Sequence, residues 1–234
     1  AIFGAGLSAK AARRLAKAKG LNAVLIDEAG EGDQATFDAS DLARFQCFVF
    51  SPGFAAEHPW RILAEGSTNP CLSEIAFAAR YWEGKIIGVT GTNGKSTLTA
   101  LLNNALSLSG HVSLAAGNIG YPFSDAVLSE ANQSEAYVVL EISSFQAELA
   151  DDLQLDGLLW TNFAEDHLDR YGSMPCYFQA KARLFNCLKW DGICVLGSQV
   201  ADWMANQRKA FEGYSIAQES TELALQLDAD SVFQ

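Results

Sequence analysis

The chain has 234 residues, 49% of them hydrophobic and 19% charged, with a mean hydropathy of +0.06. This is enough apolar material for one or two folded domains and too little charge for a disordered chain. The net charge of −12 argues against nucleic-acid binding, which depends on lysine and arginine contacts to phosphates. No stretch of about 18 apolar residues predicts a membrane span, and no secretory signal is visible.

The five cysteines are odd in number, scattered, and lack C-x-x-C spacing. This pattern favours buried, reduced thiols, so we expect a cytoplasmic protein, and we expect it to be a monomer. The sequence begins with AIFGAG, which is typical of a strand entered midway. We therefore expect a few residues to precede Ala1.

In chain order, short apolar runs alternate with helical segments, a pattern typical of βαβ units and a largely parallel sheet. The sequence therefore predicts an α/β fold. A domain boundary is predicted near residues 81–84, which divides the chain into residues 1–82 and 83–234. In the first part we predict strands over 1–3, 23–26 and 45–50 and helices over 8–19 and 74–81. In the second part we predict strands over 85–90, 112–115, 136–140, 155–161 and 193–196 and helices over 95–109 and 174–188.

The first turn carries a dinucleotide-binding fingerprint, Gly4-x-Gly6-x-x-Ala9, and Asp27 ends the following strand. Such a turn sets a pyrophosphate against a helix N-terminus, and the acid contacts a ribose. From the residues alone this pattern predicts NAD. A uridine diphosphate has the same two requirements, so both ligands stay open at this point.

Gly88 to Ser96, with the sequence GVTGTNGKS, predicts a nucleotide phosphate loop between a strand and a helix. Glycines let backbone N–H groups converge on phosphate oxygens, while Lys95 serves the β- and γ-phosphates and Ser96 a magnesium ion. The standard spacing requires a glycine where Val89 stands, so the loop departs from the common pattern.

Two further polar residues follow apolar strands. Glu141 ends the run YVVLE, where a carboxylate commonly helps to hold magnesium; the less favoured alternative is that it is simply the first solvent-facing residue after the strand. His167 lies between carboxylates in NFAEDHLDRY, where a neutral imidazole can bind a metal, although a single histidine is more often structural. His58 and His111 lack such neighbours, and surface positions are expected for both. Lys181, taken alone, is predicted to be a solvated helix residue.

Three stretches, GTNGKS, LEISSFQ, and NFAEDHLDRYGSM followed by AKARLF, resemble the Mur ligase superfamily. This family joins an amino acid to a carboxylate at the expense of ATP. The resemblance implies a Rossmann-like domain that binds a UDP-sugar over residues 1–82 and a central ATP-binding domain of P-loop type over 83–234. A third, amino-acid-binding domain would be absent from this sequence.

The LEISSFQ stretch resembles the branch that adds D-glutamate to UDP-N-acetylmuramoyl-L-alanine. These substrates, an acyl-phosphate intermediate and a role in peptidoglycan synthesis, and so in cell shape and division, are implied by that resemblance. Alternatives are another ligase of the superfamily, acting on cell-wall peptides or folates, and a catalytically silent nucleotide-binding fragment.

The resemblance also implies the roles of individual residues. Lys95, His167 and Lys181 would be catalytic, and Lys181 would carry a carbamate. Two magnesium ions would be held by Ser96, Glu141, His167 and Lys181. ATP would be bound by Gly91, Thr92, Asn93, Gly94, Lys95, Ser96 and Thr97. The sugar nucleotide and its alanine would contact Gly6, Leu7, Ser8, Asp27, Ser51, Pro52, Gly53, Asn118, Ser143 and Gln146.

Overall fold

A computed structural model describes residues 1–206 of the chain, so the end of the predicted second domain, residues 207–234, lies outside the described residues. The chain forms two parallel sheets in succession. The first has the strand order β2-β1-β3-β4 and the second the order β6-β7-β5-β8-β9. Every strand pair in both sheets is parallel. The predicted α/β class with mostly parallel sheets is confirmed.

The elements of the first sheet are β1 (Ile2–Phe3), α1 (Leu7–Ala18), β2 (Leu25–Ile26), a 3₁₀ segment (Ala39–Arg44), β3 (Phe48–Phe50), α2 (Pro59–Glu65), β4 (Cys71–Ser73) and α3 (Glu74–Ala79). The elements of the second are β5 (Lys85–Thr90), α4 (Lys95–Leu108), β6 (Ser113–Gly117), α5 (Phe123–Val127), β7 (Tyr137–Glu141), α6 (Ser144–Ala147), β8 (Leu155–Trp160), α7 (Leu168–Tyr171), α8 (Met174–Ala182), a 3₁₀ segment (Arg183–Phe185), β9 (Leu188–Leu196) and α9 (Ser198–Asn206).

The helix predicted over 174–188 was wrong at its end, and the structure shows why. Helix α8 stops at Ala182, and Leu188 already lies in β9, paired with Leu155. The Cys187 carbonyl accepts a hydrogen bond from the backbone N–H of Leu155, so this backbone belongs to the sheet. Apolar periodicity alone does not separate a helix from the first residues of a following strand. Strand β4 and helices α2, α5, α6, α7 and α9 were not predicted.

We call each sheet with its helices a unit. The core of the first unit is aromatic, and the core of the second unit is built around β5, β7 and β8. Phe3 stacks on Phe50 with ring centroids 4.2 Å apart. In the second unit Trp160 of β8 stacks on Phe178 of α8 at 4.8 Å, which fixes α8 against the sheet. Central strands of parallel sheets are covered on both faces, which accounts for their nearly continuous apolar sequences.

Helices α1 and α3 of the first unit pack against α5 of the second. Arg14 of α1 binds both carboxylate oxygens of Asp125 in α5, at 2.9 and 2.6 Å. Glu74 of α3 is 2% exposed and accepts a hydrogen bond at 2.6 Å from the backbone N–H of Ser124, in the first turn of α5. Its second oxygen has no hydrogen-bond partner. A buried carboxylate therefore joins the two units.

We expect Glu74 to make the protein less stable as the pH rises from 5 to 8. Burial raises the pKa of Glu74 from 4.5 to about 7, and the hydrogen bonds from Ser124 only partly oppose this shift. Between these two values the native state holds a proton that the unfolded chain releases, so stability is complete below pH 4.5 and is lost as the pH passes 7. At about 1.4 kcal/mol per pKa unit the loss is about 3 kcal/mol.

Urea unfolding of the wild type and of Glu74→Gln across this pH range would measure the effect. The neutral glutamine should remove most of the slope. Glu130→Gln, at an exposed position, is the matched control and should leave the slope unchanged. Identical slopes in the wild type and in Glu74→Gln would contradict the prediction.

Candidate functional site

The phosphate loop leaves the carboxyl end of β5, which is the central strand of the five-stranded sheet. Gly91 and Gly94 have positive φ angles, +146° and +77°, and Gly94 caps the N-terminus of α4 without any side-chain cap. The first backbone N–H groups of α4 are therefore open to an anion. Ser96 and Thr97 lie exposed in this first turn, and the Lys95 amine donates to the Thr92 carbonyl at 2.7 Å.

Residues that follow β8 hold this loop in shape, and their role was not predicted from the sequence. Asn162 accepts a hydrogen bond from the Asn93 N–H and donates to the Asn93 carbonyl, both at 2.9 Å. The Thr161 hydroxyl donates to the same carbonyl at 2.7 Å. The available signal was that polar residues directly follow β8, the neighbour of β5. Ligands in such sheets bind beyond the carboxyl ends of the strands.

Glu141 ends β7, on the other side of β5, and is 1% exposed. Its Oε1 accepts a hydrogen bond at 2.9 Å from the Asn118 side chain, while its Oε2 is buried without a hydrogen-bond partner. A buried carboxylate oxygen normally has a partner, so this atom is suited to a cation. The alternative that Glu141 is simply the first solvent-facing residue after the strand is therefore excluded.

Lys181 extends from α8 to the floor of the phosphate loop and is 1% exposed, so the expectation of a solvated lysine is wrong. Its amine donates to the Gly91 carbonyl at 2.9 Å. Burial and, secondarily, the charge of Lys95 lower the pKa of Lys181 to about 7, although Asp166 and Glu141 oppose the shift. At neutral pH a large fraction of this amine is therefore uncharged, which is the nucleophilic form.

His167 is the non-glycine residue with a positive φ, 51°, among residues 1–206. It caps α7, and its ring lies 4.7 Å from that of Phe145 and 5.9 Å from that of Tyr177. Its Nε2 lies 3.4 Å from a carboxylate oxygen of Asp166. Strained backbone of this kind tends to be found at functional sites. Of the described residues, no three of the His, Cys, Asp and Glu type lie close enough to hold a metal by themselves.

The remaining predicted residues fall into two groups. Gly6, Leu7 and Ser8 form the uncapped start of α1, while Asp27 follows β2 and Ser51-Pro52-Gly53 follows β3. The carboxyl ends of three neighbouring strands thus bring this group together. The buried Ser51 hydroxyl has no hydrogen-bond partner, and a Cβ on Gly4 (φ +104°) would lie 2.7 Å from it.

Ser143 and Gln146 begin α6, directly after β7. They form a capping box in which the Ser143 hydroxyl accepts from the Gln146 N–H at 3.2 Å and the Gln146 side chain accepts from the Ser143 N–H at 3.0 Å. Gln146 is 3% exposed. This geometry gives both residues a role in the start of the helix, and their contact with substrate stays a prediction.

Replacing Gly91 by alanine is expected to weaken ATP binding at least tenfold. The new Cβ would lie 2.0 Å from the Thr161 hydroxyl, at a φ that side chains avoid, so the loop must move off its anion-binding geometry. Calorimetric titration with Mg–ATP measures the change. Gly110→Ala is the matched control, at the other end of α4, with φ +86° and open space around its Cβ. Equal ATP affinity in Gly91→Ala and the wild type would contradict the prediction.

No helix in the part of the chain that the structure describes is both long and apolar enough to cross a membrane. A sequence model of the Mur ligase middle domain matches residues 89–233, more than half of the chain. A UDP-N-acetylmuramoylalanine–D-glutamate ligase of Cereibacter sphaeroides is 38% identical over 209 residues, covering 79% of this chain and 44% of that protein. A protein of the same name from Protochlamydia amoebophila is 33% identical over 207 residues, covering 82% and 46%.

Among solved structures, a UDP-N-acetylmuramate:L-alanyl-γ-D-glutamyl-meso-diaminopimelate ligase of Neisseria meningitides superposes with a TM-score of 0.52 at 18% identity, covering 88% of this chain and 74% of that one. This likeness concerns the fold. The chain spans slightly less than half the length of the two curated relatives. With a matching middle-domain model, the phosphate loop and two parallel sheets, the chain belongs to the Mur ligase family.

Proposed function

We propose that this chain binds the sugar nucleotide and ATP in a ligase that adds D-glutamate to UDP-N-acetylmuramoyl-L-alanine. The observation that carries the proposal is the buried Lys181 beneath the phosphate loop, where its amine donates to the Gly91 carbonyl and lies within electrostatic range of Lys95 and Glu141. Relatives that carry the name of this ligase at 33–38% identity support the choice of substrates. Residues 1–82 would bind the uridine nucleotide, and residues from 83 onward would bind ATP. The names of these relatives favour uridine diphosphate over NAD as the ligand of the turn at Gly4 to Ala9.

The residues near the loop suit magnesium through a specific feature. Mg²⁺ is usually held by one or two carboxylates together with substrate phosphates, so a cluster of three protein ligands is not required. The unpartnered Oε2 of Glu141 and the exposed Ser96 hydroxyl would be the ligands of one ion. His167 with a carbamate on Lys181 would serve a second ion. When bound, magnesium neutralises phosphate charge, which allows a carboxylate to approach the γ-phosphate.

The chain's own groups would contribute position and charge. Backbone N–H groups of the first turn of α4 bind the phosphates, and Lys95 neutralises the β- and γ-phosphates. The substrate carboxylate attacks the γ-phosphorus, the bond to ADP breaks, and an acyl phosphate forms. The amine of D-glutamate then attacks the acyl carbon, loses a proton and displaces phosphate to give the amide. We also propose that the protein is cytoplasmic and monomeric.

Lys181 suits carbamate formation by its burial and its pKa. Carbamylation requires a neutral amine. The amine nitrogen attacks the carbon of CO₂, and one proton is released. An ordinary lysine is almost wholly charged at pH 7, whereas the pKa of Lys181 is lowered to about 7. The product replaces a buried cation by an anion, which would relieve its repulsion from Lys95 and create a metal ligand.

Two measurements test the proposed function. Calorimetry on this chain should detect UDP-N-acetylmuramoyl-L-alanine and Mg–ATP at separate, saturable sites. Mass spectrometry should detect the D-glutamyl product when ATP, magnesium and both substrates are incubated with a full-length ligase that contains this chain. Binding of both nucleotides without product would favour the silent nucleotide-binding fragment. A product with another amino acid would indicate a different ligase of the family, and tight NADH binding would overturn the assignment of the first turn.

A further inference from the structure

Arg170 of α7 contacts the loop that follows β3. Its Nη1 donates to the Pro52 carbonyl at 3.1 Å, and its Nη2 donates to the Phe54 carbonyl at 3.2 Å. These two carbonyls flank Gly53, in the loop proposed to face the uridine nucleotide. The contacts join residues 118 and 116 positions apart in sequence. The same side chain thus fixes the backbone of a loop in the first unit from a helix in the second.

Arg170 is also connected to His167, once directly and once through the ring of Phe145. Its backbone N–H donates to the His167 carbonyl at 3.1 Å. Its guanidinium lies over the ring of Phe145, 4.3 Å from the centroid, and this ring lies 4.7 Å from the imidazole. His167 holds a left-handed backbone conformation that costs free energy for any residue other than glycine, so surrounding contacts must maintain it.

Glu148 fixes the guanidinium between these two neighbours. It is 7% exposed and accepts from Arg170 at both Nε and Nη2, at 3.1 and 3.0 Å. The hydroxyl of Tyr171, in the same short helix, donates to it at 2.8 Å, and Arg61 at 2.5 Å. A bidentate arginine–carboxylate pair has one preferred geometry. A shift of the Pro52–Phe54 backbone therefore moves α7 as well, because the paired arginine side chain cannot change its conformation freely.

We propose that Arg170 is a positioning residue that couples the sugar-nucleotide site to His167 and the phosphate loop. This inference rests on the proposed function of both sites. When the uridine nucleotide fixes the loop after β3, Arg170 fixes α7 and thereby the His167 imidazole. The site for magnesium and ATP is then organised by the presence of the acceptor substrate. Arg170 touches neither nucleotide in this proposal and acts through the backbone of its neighbours.

The three histidines of the chain provide a direct test by NMR with labelled imidazole rings, using UDP as the probe. His58 packs on Phe54 with centroids 4.7 Å apart, so its resonance should shift whenever UDP binds. His111 packs on Tyr137 at the opposite, amino-terminal end of β7 and should not shift. His167 should shift in the wild type. In Arg170→Lys, which keeps the charge but not the bidentate geometry, the His58 shift should persist and the His167 shift should fall well below half.

Affinity gives a second readout that a purely structural role would not change. UDP should raise the affinity of the wild type for Mg–ATP at least about fivefold, and Mg–ATP should raise the affinity for UDP by the same factor. Arg170→Lys should lose this coupling. Arg14→Lys is the matched control, because it weakens another bidentate arginine–carboxylate pair between the two units, far from α7.

The outcomes separate the inference from the proposed function. If no histidine of the wild type responds to UDP, the nucleotide function fails. If UDP binds and His167 shifts equally in wild type and Arg170→Lys, or if coupling survives in that variant, the inference is overturned. Should Arg170→Lys fail to fold, Phe145→Leu removes the ring between the guanidinium and His167 and leaves every Arg170 hydrogen bond. It should likewise reduce the His167 shift, and an unchanged shift there would overturn the inference.

Discussion

Replacing Lys181 by alanine is expected to lower ATP-dependent ligation on the order of 10²–10³-fold, the usual cost of losing one charge-stabilising group from a closed site. The amine lies under the phosphate loop, bonded to the Gly91 carbonyl, where the proposed carbamate would meet magnesium. Acetate or formate added to the buffer should restore part of the activity, because a small carboxylate fits the space that the side chain leaves. Product formation by a full-length ligase that contains this chain, followed by mass spectrometry with and without the added acid, measures both effects.

Lys189→Ala is the control for this experiment. Lys189 pairs with a carboxylate, at 2.7 Å from Asp156, and is partly exposed on β9, away from the loop. Its loss should leave ligation within about twofold, as for most exposed ion pairs. Full activity of Lys181→Ala would contradict both the catalytic role and the carbamate.

The same lysine predicts a pH dependence for carbamate formation. Because the pKa of Lys181 is lowered to about 7, the neutral amine becomes the main form as the pH rises from 6 to 8. At a constant concentration of dissolved CO₂, the initial rate of labelling with ¹³CO₂ should therefore increase across this range and approach a plateau above pH 8. An ordinary lysine would instead show labelling that keeps increasing up to about pH 10.

Replacing Glu148 by alanine is expected to reduce the free energy of unfolding by about 3–5 kcal/mol, the cost of leaving a buried charge without its partner. Burial opposes the ionisation of Glu148, but hydrogen bonds from Arg170, Arg61 and Tyr171 outweigh it and hold the pKa below its ordinary value. Arg61, 3% exposed, would lose this carboxylate and keep the Glu65 carboxylate and the Phe54 carbonyl. Urea unfolding at pH 7 measures the loss.

Asp152→Ala gives the comparison. Asp152 pairs with Arg80, also with a short contact, but both side chains are about 40% exposed. Exposed pairs contribute at most about 1 kcal/mol, so this variant should unfold at nearly the wild-type urea concentration. Similar small losses in both variants would show that the Glu148 cluster does not stabilise the fold as inferred.

The phosphate loop could be predicted from sequence because its determinants are local. A strand, glycines at the turn and a lysine–serine pair at the start of a helix occupy neighbouring positions, and the structure has strand β5, Gly94 at φ +77° and helix α4 in that order. The α/β class followed for the same reason, since alternating apolar strands and helices are properties of short segments.

Burial and partners were not predictable, because they depend on which strands become neighbours. Taken alone, Lys181 was predicted to be a solvated helix residue. In the structure α8 packs on β8 through Phe178 and Trp160, and the Lys181 amine lies under the loop. The order β6-β7-β5-β8-β9 brings Glu141 and Asn162 to either side of Gly91. Hydrophobic periodicity contains no information on strand order.

The sequence by itself determined the class of fold, the ATP-type loop and, through its resemblance, the set of residues around it. The tertiary structure decided that Glu141 has a buried oxygen without a hydrogen-bond partner, that burial lowers the pKa of Lys181 to about 7, and that Arg170 contacts the loop after β3. The physical reason is that a parallel sheet gathers the carboxyl ends of strands from distant parts of the chain. The interactions between charged groups at that edge, and the burial of these groups from water, exist only after these strand ends have come together.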